Sequence, residues 1–197
     1  DACSGGNVVL TSGEASSGSG GSMTLSSGYG FASSSGSVVV QTLNAGTRGV
    51  SGHLRFMSGT TSSGSSGSIS IATGSATHGR SGDIVVSVGK STDTFSYNRN
   101  IPGGNIVLTS GDSSRGTGGS ISLSGGAGIA SSSGSVVVRT LDAGTNGVSG
   151  HLSFTSGTTS SGSSGSIVVA TGSATHGRSG DIVVSVGKST STWQRGG

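Results

Sequence analysis

The chain has 197 residues, of which 41 are Gly and about a quarter are Ser. Hydrophobic residues make up 29% of it and charged residues 9%, whereas ordinary globular proteins are about 45–50% apolar. Because this composition cannot fill a thick core, we expect neither an enzyme nor a cofactor. A disordered linker is disfavoured too, since disordered chains are usually rich in charge and this chain has a net charge of +3.

Basic and metal-binding residues form no convincing site in the sequence. The ten Lys and Arg residues are scattered singly although the pI is near 9.6, so we expect no nucleic-acid partner. The histidines are two residues in duplicate, His53/His151 and His78/His176, and we expect no metal site. No apolar stretch approaches the roughly 20 residues of a membrane span.

An internal repeat organises the whole chain. The sequence Asn7-Val-Val-Leu-Thr-Ser-Gly returns at Asn105 as Asn-Ile-Val-Leu-Thr-Ser-Gly, an offset of 98 residues, and residues 72–92 are reproduced without change at 170–190. Two tandem units follow, 1–103 with a long connecting loop at 89–103, and 104–197. Gly196-Gly197 repeats the pair before Asn105, so we expect either a window on a longer array or a chain that ends where the next one begins.

Each unit contains a shorter repeat that starts with a glycine, followed by one polar residue and an apolar-x-apolar triplet. These leading glycines lie 15 or 16 residues apart, with one step of 22 between the units. In chain order they are Gly6, Gly21, Gly36, Gly52, Gly67, Gly82, Gly104, Gly119, Gly134, Gly150, Gly165 and Gly180.

Two apolar columns appear when the twelve repeats are aligned. The first column is Val8, Met23, Val38, Leu54, Ile69, Ile84, Ile106, Ile121, Val136, Leu152, Ile167 and Ile182. The second column is Leu10, Leu25, Val40, Phe56, Ile71, Val86, Leu108, Leu123, Val138, Phe154, Val169 and Val184. One residue separates the columns, which is typical of a strand with one buried face, so we expect these residues to form the core.

The repeat length predicts an all-β fold. A coil of 15–16 residues holds two short strands and two tight turns, and the small residues of the other half would let the two strands approach closely. We therefore predict a thin, two-sided β-solenoid, or β-helix, of about twelve rungs that runs continuously through both units.

Valine often occupies the outward position between the two columns. We interpret these residues either as exposed strand formers or as a lateral interface that bundles rods. They are Val9, Val39, Val85, Val107, Val137, Val168 and Val183.

Hydroxyl clusters are suited to O-glycosylation if the chain is secreted, the alternative being plain turns. The candidate residues are Thr60, Thr61, Ser62, Thr158, Thr159 and Ser160.

Two resemblances bear on function. The short coils are similar to those of insect antifreeze β-solenoids, whose flat Thr-x-Thr arrays order water, although Arg55 and Met57 interrupt the corresponding array here. Residues 62–74, Ser-Ser-Gly-Ser-Ser-Gly-Ser-Ile-Ser-Ile-Ala-Thr-Gly, resemble the Gly/Ser-rich repeats of large extracellular microalgal and bacterial proteins. That second resemblance implies a surface or matrix setting.

We therefore expect an extracellular or cell-surface structural protein, a fibre or rod built from copies of itself by end-to-end stacking of rungs and by lateral contact. An ice-binding protein and an adhesin stalk are the alternatives.

Overall fold

The computed structural model describes residues 4–92, 101–145 and 147–188. Across these residues the chain forms no helix and no strand, and it consists of coil with short bends. The prediction of an all-β, two-sided β-solenoid, or β-helix, of about twelve rungs is therefore wrong.

The chain divides into two units, Asp1–Asn105 and Ile106–Gly197. The sequence repeat placed the division between residues 103 and 104. Of the predicted connecting loop at 89–103, residues 93–100 lie outside the described residues, as do residues 189–197 of the second unit.

A bend recurs within the repeats of both units, ten to twelve residues after the leading glycine. Its last residue is a glycine with positive φ in three repeats, at Gly18 (114°), Gly64 (117°) and Gly162 (121°). Residues with a β-carbon rarely adopt this conformation. The bends lie at 16–18, 31–33, 47–48, 62–64 and 77–79 in the first unit, and at 114–116, 129–131, 145, 160–162 and 175–177 in the second.

After each bend the chain returns to a small residue of the repeat it has just left. We call this crossing a neck. At the first neck, the Gly21 N–H donates a hydrogen bond to the Gly13 carbonyl at 2.9 Å. A β-carbon on Gly21 would lie 3.2 Å from the Gly13 nitrogen and 3.4 Å from the Ser12 β-carbon, so glycine is what allows this close approach.

The remaining necks have the same plan. Backbone hydrogen bonds of 2.8–3.0 Å also join Gly36 to Gly28, Gly119 to Gly111, and Gly134 to Gly126. Elsewhere the leading glycine lies against a Ser or Thr side chain nine or ten residues earlier, with 3.1–3.7 Å between that side chain and a β-carbon placed on the glycine. These pairs are Gly52–Thr42, Gly67–Ser58, Gly82–Thr73, Gly150–Thr140, Gly165–Ser156 and Gly180–Thr171.

The backbone hydrogen bonds explain why no solenoid forms. A solenoid requires a ladder of bonds between the strands of successive rungs. In the described residues, every backbone bond instead spans three or eight residues, as in Gly49 N–H to Gly46 C=O and Gly21 N–H to Gly13 C=O. None of them joins one apolar triplet to the next, so each loop is closed separately.

The expected core is not formed either. No side chain in the described parts of the chain is buried, and Ser12, Gly30 and Ser110 are the most covered residues there. Ser12 and Ser110 are the neck residues opposite Gly21 and Gly119. The accessible surface is 20034 Å², whereas a compact protein of this mass exposes about 8,200 Å².

The necks predict a pattern of amide exchange. Because a backbone hydrogen bond contributes about 0.5–1.5 kcal/mol net, we expect the amide protons of Gly21, Gly36, Gly119 and Gly134 to exchange about two- to tenfold more slowly than that of Gly59. Amide exchange followed by NMR, corrected for intrinsic rates, measures this. Equal rates at all five glycines would contradict the necks.

Substitution at one neck gives a matched test. In a Gly21→Ala variant the added methyl crowds the Gly13 backbone, so we expect the protection of residue 21 to disappear while that of Gly119 persists. Gly59→Ala is the control, because a β-carbon there meets nothing within 4 Å, and this variant should leave the exchange at Gly21 unchanged.

Candidate functional site

Exposed apolar triplets are the most regular surface feature of the described chain. Residues of the first column are 46–59% exposed, apart from Val8 at 87%, and those of the second are 53–92% exposed. The valines between the columns are 74–82% exposed. In six of the seven triplets with a central valine, that valine is more exposed than the first residue, as expected where neighbouring side chains point to opposite sides of an extended backbone.

The outward valines therefore lie in solvent, as a lateral interface would require before assembly. No contact with another molecule is present to test that interface, which stays a prediction. What the structure adds is that the neighbouring column residues are exposed as well, so the apolar surface is wider than one line of valines.

One apolar segment is repeated identically and carries opposite charges at its two ends. Residues 83–90 read Asp-Ile-Val-Val-Ser-Val-Gly-Lys, and residues 181–188 have the same sequence. We call these the octapeptide segments. Ile84, Val85, Val86 and Val88 are all exposed, and so are their counterparts. No backbone hydrogen bond between described residues involves either segment, so within the described chain their N–H and C=O groups have no backbone partner.

An ion pair precedes each octapeptide segment. Arg80 Nη2 lies 2.7 Å from Asp83 Oδ1, and Arg178 Nη2 lies 4.0 Å from Asp181 Oδ1. All four side chains are well exposed. Exposed pairs of this kind contribute little to stability, and Arg80 engages only one of the two oxygens of Asp83. The carboxylates therefore remain available to a second cation.

The hydroxyl clusters lie at the bends or directly before them, and their residues are exposed to solvent. Thr61 Oγ1 accepts a hydrogen bond from the Ser63 N–H at 3.3 Å and donates one to the Ser63 carbonyl at 3.1 Å. The same pair of bonds recurs between Thr159 and Ser161. All six candidate glycosylation residues are exposed, but glycosylation itself stays a prediction.

Within 4–92, 101–145 and 147–188, no three or more His, Cys, Asp or Glu side chains converge to hold a metal ion. The same residues include no helix with the length and apolar character needed to cross a membrane.

Sequence reasoning overlooked two features. It used the leading glycines only to align the repeats and missed their contact with the small residue nine or ten positions earlier, which the constant Ser, Thr or Gly at that position signals. It also treated Ile84 and Val86 as core and left the charges at the segment ends aside. The signal was the exact repetition of Asp83 and Lys90 at 181 and 188.

No family model, no curated protein and no solved structure matches the chain.

The threonine bend can be tested within one molecule. Thr61→Val removes both hydrogen bonds to Ser63, so we expect the Ser63 amide to exchange several-fold faster and its NMR shift to move, while Ser161 in the second unit stays as it was. Thr61→Ser keeps the hydroxyl and serves as the control. An unchanged Ser63 amide in the valine variant would show that these bonds do not form in solution.

Proposed function

We propose that the protein is a structural component of an extracellular fibre or cell-surface layer, built by association of many copies of this chain. The observation that carries the proposal is the repeated exposure of apolar triplets throughout both units. Monomeric soluble proteins rarely leave contiguous apolar surface of this extent uncovered, and burial of such surface is the main driving force of association.

Charge is low enough to permit close packing of copies. Only 9% of residues are charged and the net charge is +3, so electrostatic repulsion between copies is small. Gly and Ser between the triplets keep the chain adaptable. Many equivalent weak contacts along one chain act together, which raises avidity without any single strong site.

The mode of assembly differs from the one that the sequence suggested. We do not propose end-to-end stacking of solenoid rungs, because the described residues form no rung. The proposed contact is between exposed apolar segments of different copies. No observation favours the ice-binding or adhesin-stalk alternatives.

Assembly of the purified full chain tests this function. We expect concentration-dependent filaments or sheets in electron micrographs and a matching fast-sedimenting fraction. Sulfate should promote assembly and urea should reverse it, because these solutes strengthen and weaken apolar burial respectively. Discrete monomers at every concentration, with and without sulfate, would refute the proposal.

Location is tested separately on intact cells of the source organism. Antibodies against the hydroxyl-rich bends should label cells that have not been permeabilised, because the proposed layer is outside the membrane. Labelling only after permeabilisation would contradict an extracellular role.

A further inference from the structure

We propose that the octapeptide segments 83–90 and 181–188 are the assembly contacts, and that each pairs antiparallel with the same segment of a second copy of this chain. This inference rests on the proposed function and names the contact through which it operates. Both segments are exposed, apolar and free of backbone hydrogen bonds to other described residues. Such a segment is a template for strand pairing with another chain.

The end charges select the direction of pairing. In an antiparallel pair, Asp83 of one copy lies opposite Lys90 of the other, and the reciprocal pair forms at the far end. A parallel pair would place Asp83 opposite Asp83 and Lys90 opposite Lys90. Opposite charges across a strand pair stabilise it and like charges destabilise it, so the antiparallel arrangement is favoured.

The same register also matches the apolar residues. With Asp83 opposite Lys90, Val85 faces Val88 and Val86 faces Ser87. Directly opposite residues point to the same side of a strand pair, so each face of the pair contains one Val–Val contact and one Asp–Lys contact. Residues 83 and 90 lie on opposite faces of one strand, so the two copies turn opposite faces to the same side and the contact is a head-to-tail one that can repeat from copy to copy.

Room for the partner is present beside the segment. The register places Ile84 of one copy opposite Gly89 of the other. A β-carbon on Gly89 meets nothing within 4 Å, and the same holds for Gly187 in the second unit. The isoleucine side chain can therefore approach Gly89, whereas the neighbouring Val88 is partly covered by its own chain, since its Cγ1 would lie 2.8 Å from a β-carbon placed on Gly104.

Pairing along both edges of a segment can continue from copy to copy and build a fibre. Two identical segments per chain double the number of such contacts. The chain also has surface to bury. Its 20034 Å² exceeds the area of a compact protein of this mass by several times the roughly 1,600 Å² that a stable interface covers.

Charge reversal in both segments is the primary test, with the critical concentration for assembly of the full chain as the readout. Asp83→Lys combined with Asp181→Lys places Lys opposite Lys at both ends of every pair. We expect the critical concentration to rise about tenfold or more, since attraction becomes repulsion at two positions. Glu14→Lys with Asp112→Lys makes the same change in net charge at exposed positions elsewhere, and should leave the critical concentration within about twofold of wild type.

Restoring the charge pattern separates pairing from a general charge effect. Adding Lys90→Asp and Lys188→Asp to the reversed variant again places opposite charges across an antiparallel pair, so assembly should return to about the wild-type concentration. Parallel pairing would give no such loss and rescue, because reversal and restoration alike leave identical charges facing each other.

The number of segments gives an independent readout. Asp83→Lys alone leaves one intact segment at 181–188, so its critical concentration should lie between those of the wild type and the doubly reversed variant. Fibre diffraction of the wild type should contain the 4.7–4.8 Å reflection of paired strands.

The outcomes separate the two proposals. If the wild type assembles and the doubly reversed variant assembles equally well, the octapeptide contact is wrong and the structural function stands. If reversal abolishes assembly but restoration does not rescue it, the antiparallel register is wrong. If the wild type never assembles, both the contact and the function are wrong.

Discussion

The close approach of the chain to itself at the leading glycine that follows each bend is the contact on which the order of this chain depends. At Gly21 and Gly119 the two segments are joined by a backbone hydrogen bond of 2.9 Å, and a β-carbon on either glycine would lie 3.2 Å from the facing nitrogen. A larger residue would separate the two segments and open the loop. Each bend lies midway between the two residues that meet at a neck, since the chain must reverse between them to return to itself.

Because each loop is closed within one repeat, the rest of the molecule lacks contacts between repeats. Each neck joins a repeat to its own end, so it creates no continuous ladder between repeats and no layer under which side chains could be buried. The first apolar column gains partial cover from this arrangement, while the second column and the intervening valines remain mostly in solvent. Because each loop depends on few contacts, each is expected to open with little free energy and without disturbing its neighbours.

Exposure of this kind connects the structure to the proposed role. An isolated chain leaves apolar side chains and extended backbone in water, and a second copy offers the same surfaces in return. The octapeptide segments add direction to that attraction, because Asp83 and Lys90 stand at opposite ends of an otherwise uncharged run. Pairing of these segments with those of further copies would continue along a fibre. The protein is thus proposed to bury between copies the surface that it does not bury within one.

The 15-residue spacing and the leading glycines were readable from the sequence, because they form a pattern of residues close together in the chain, whereas the positions of the bends were not predicted. The contact of Gly52 with Thr42 or of Gly82 with Thr73 is equally local, yet only the three-dimensional structure revealed which small residue each glycine meets. The β-solenoid and its core were predicted wrongly from residues such as Ile69 and Ile71. Alternation of apolar residues says that one face of a segment avoids water, but it does not say whether the next repeat or another molecule covers that face. That decision depends on contacts between distant segments, and in the described residues the necks close each loop within its own repeat and leave the apolar face open.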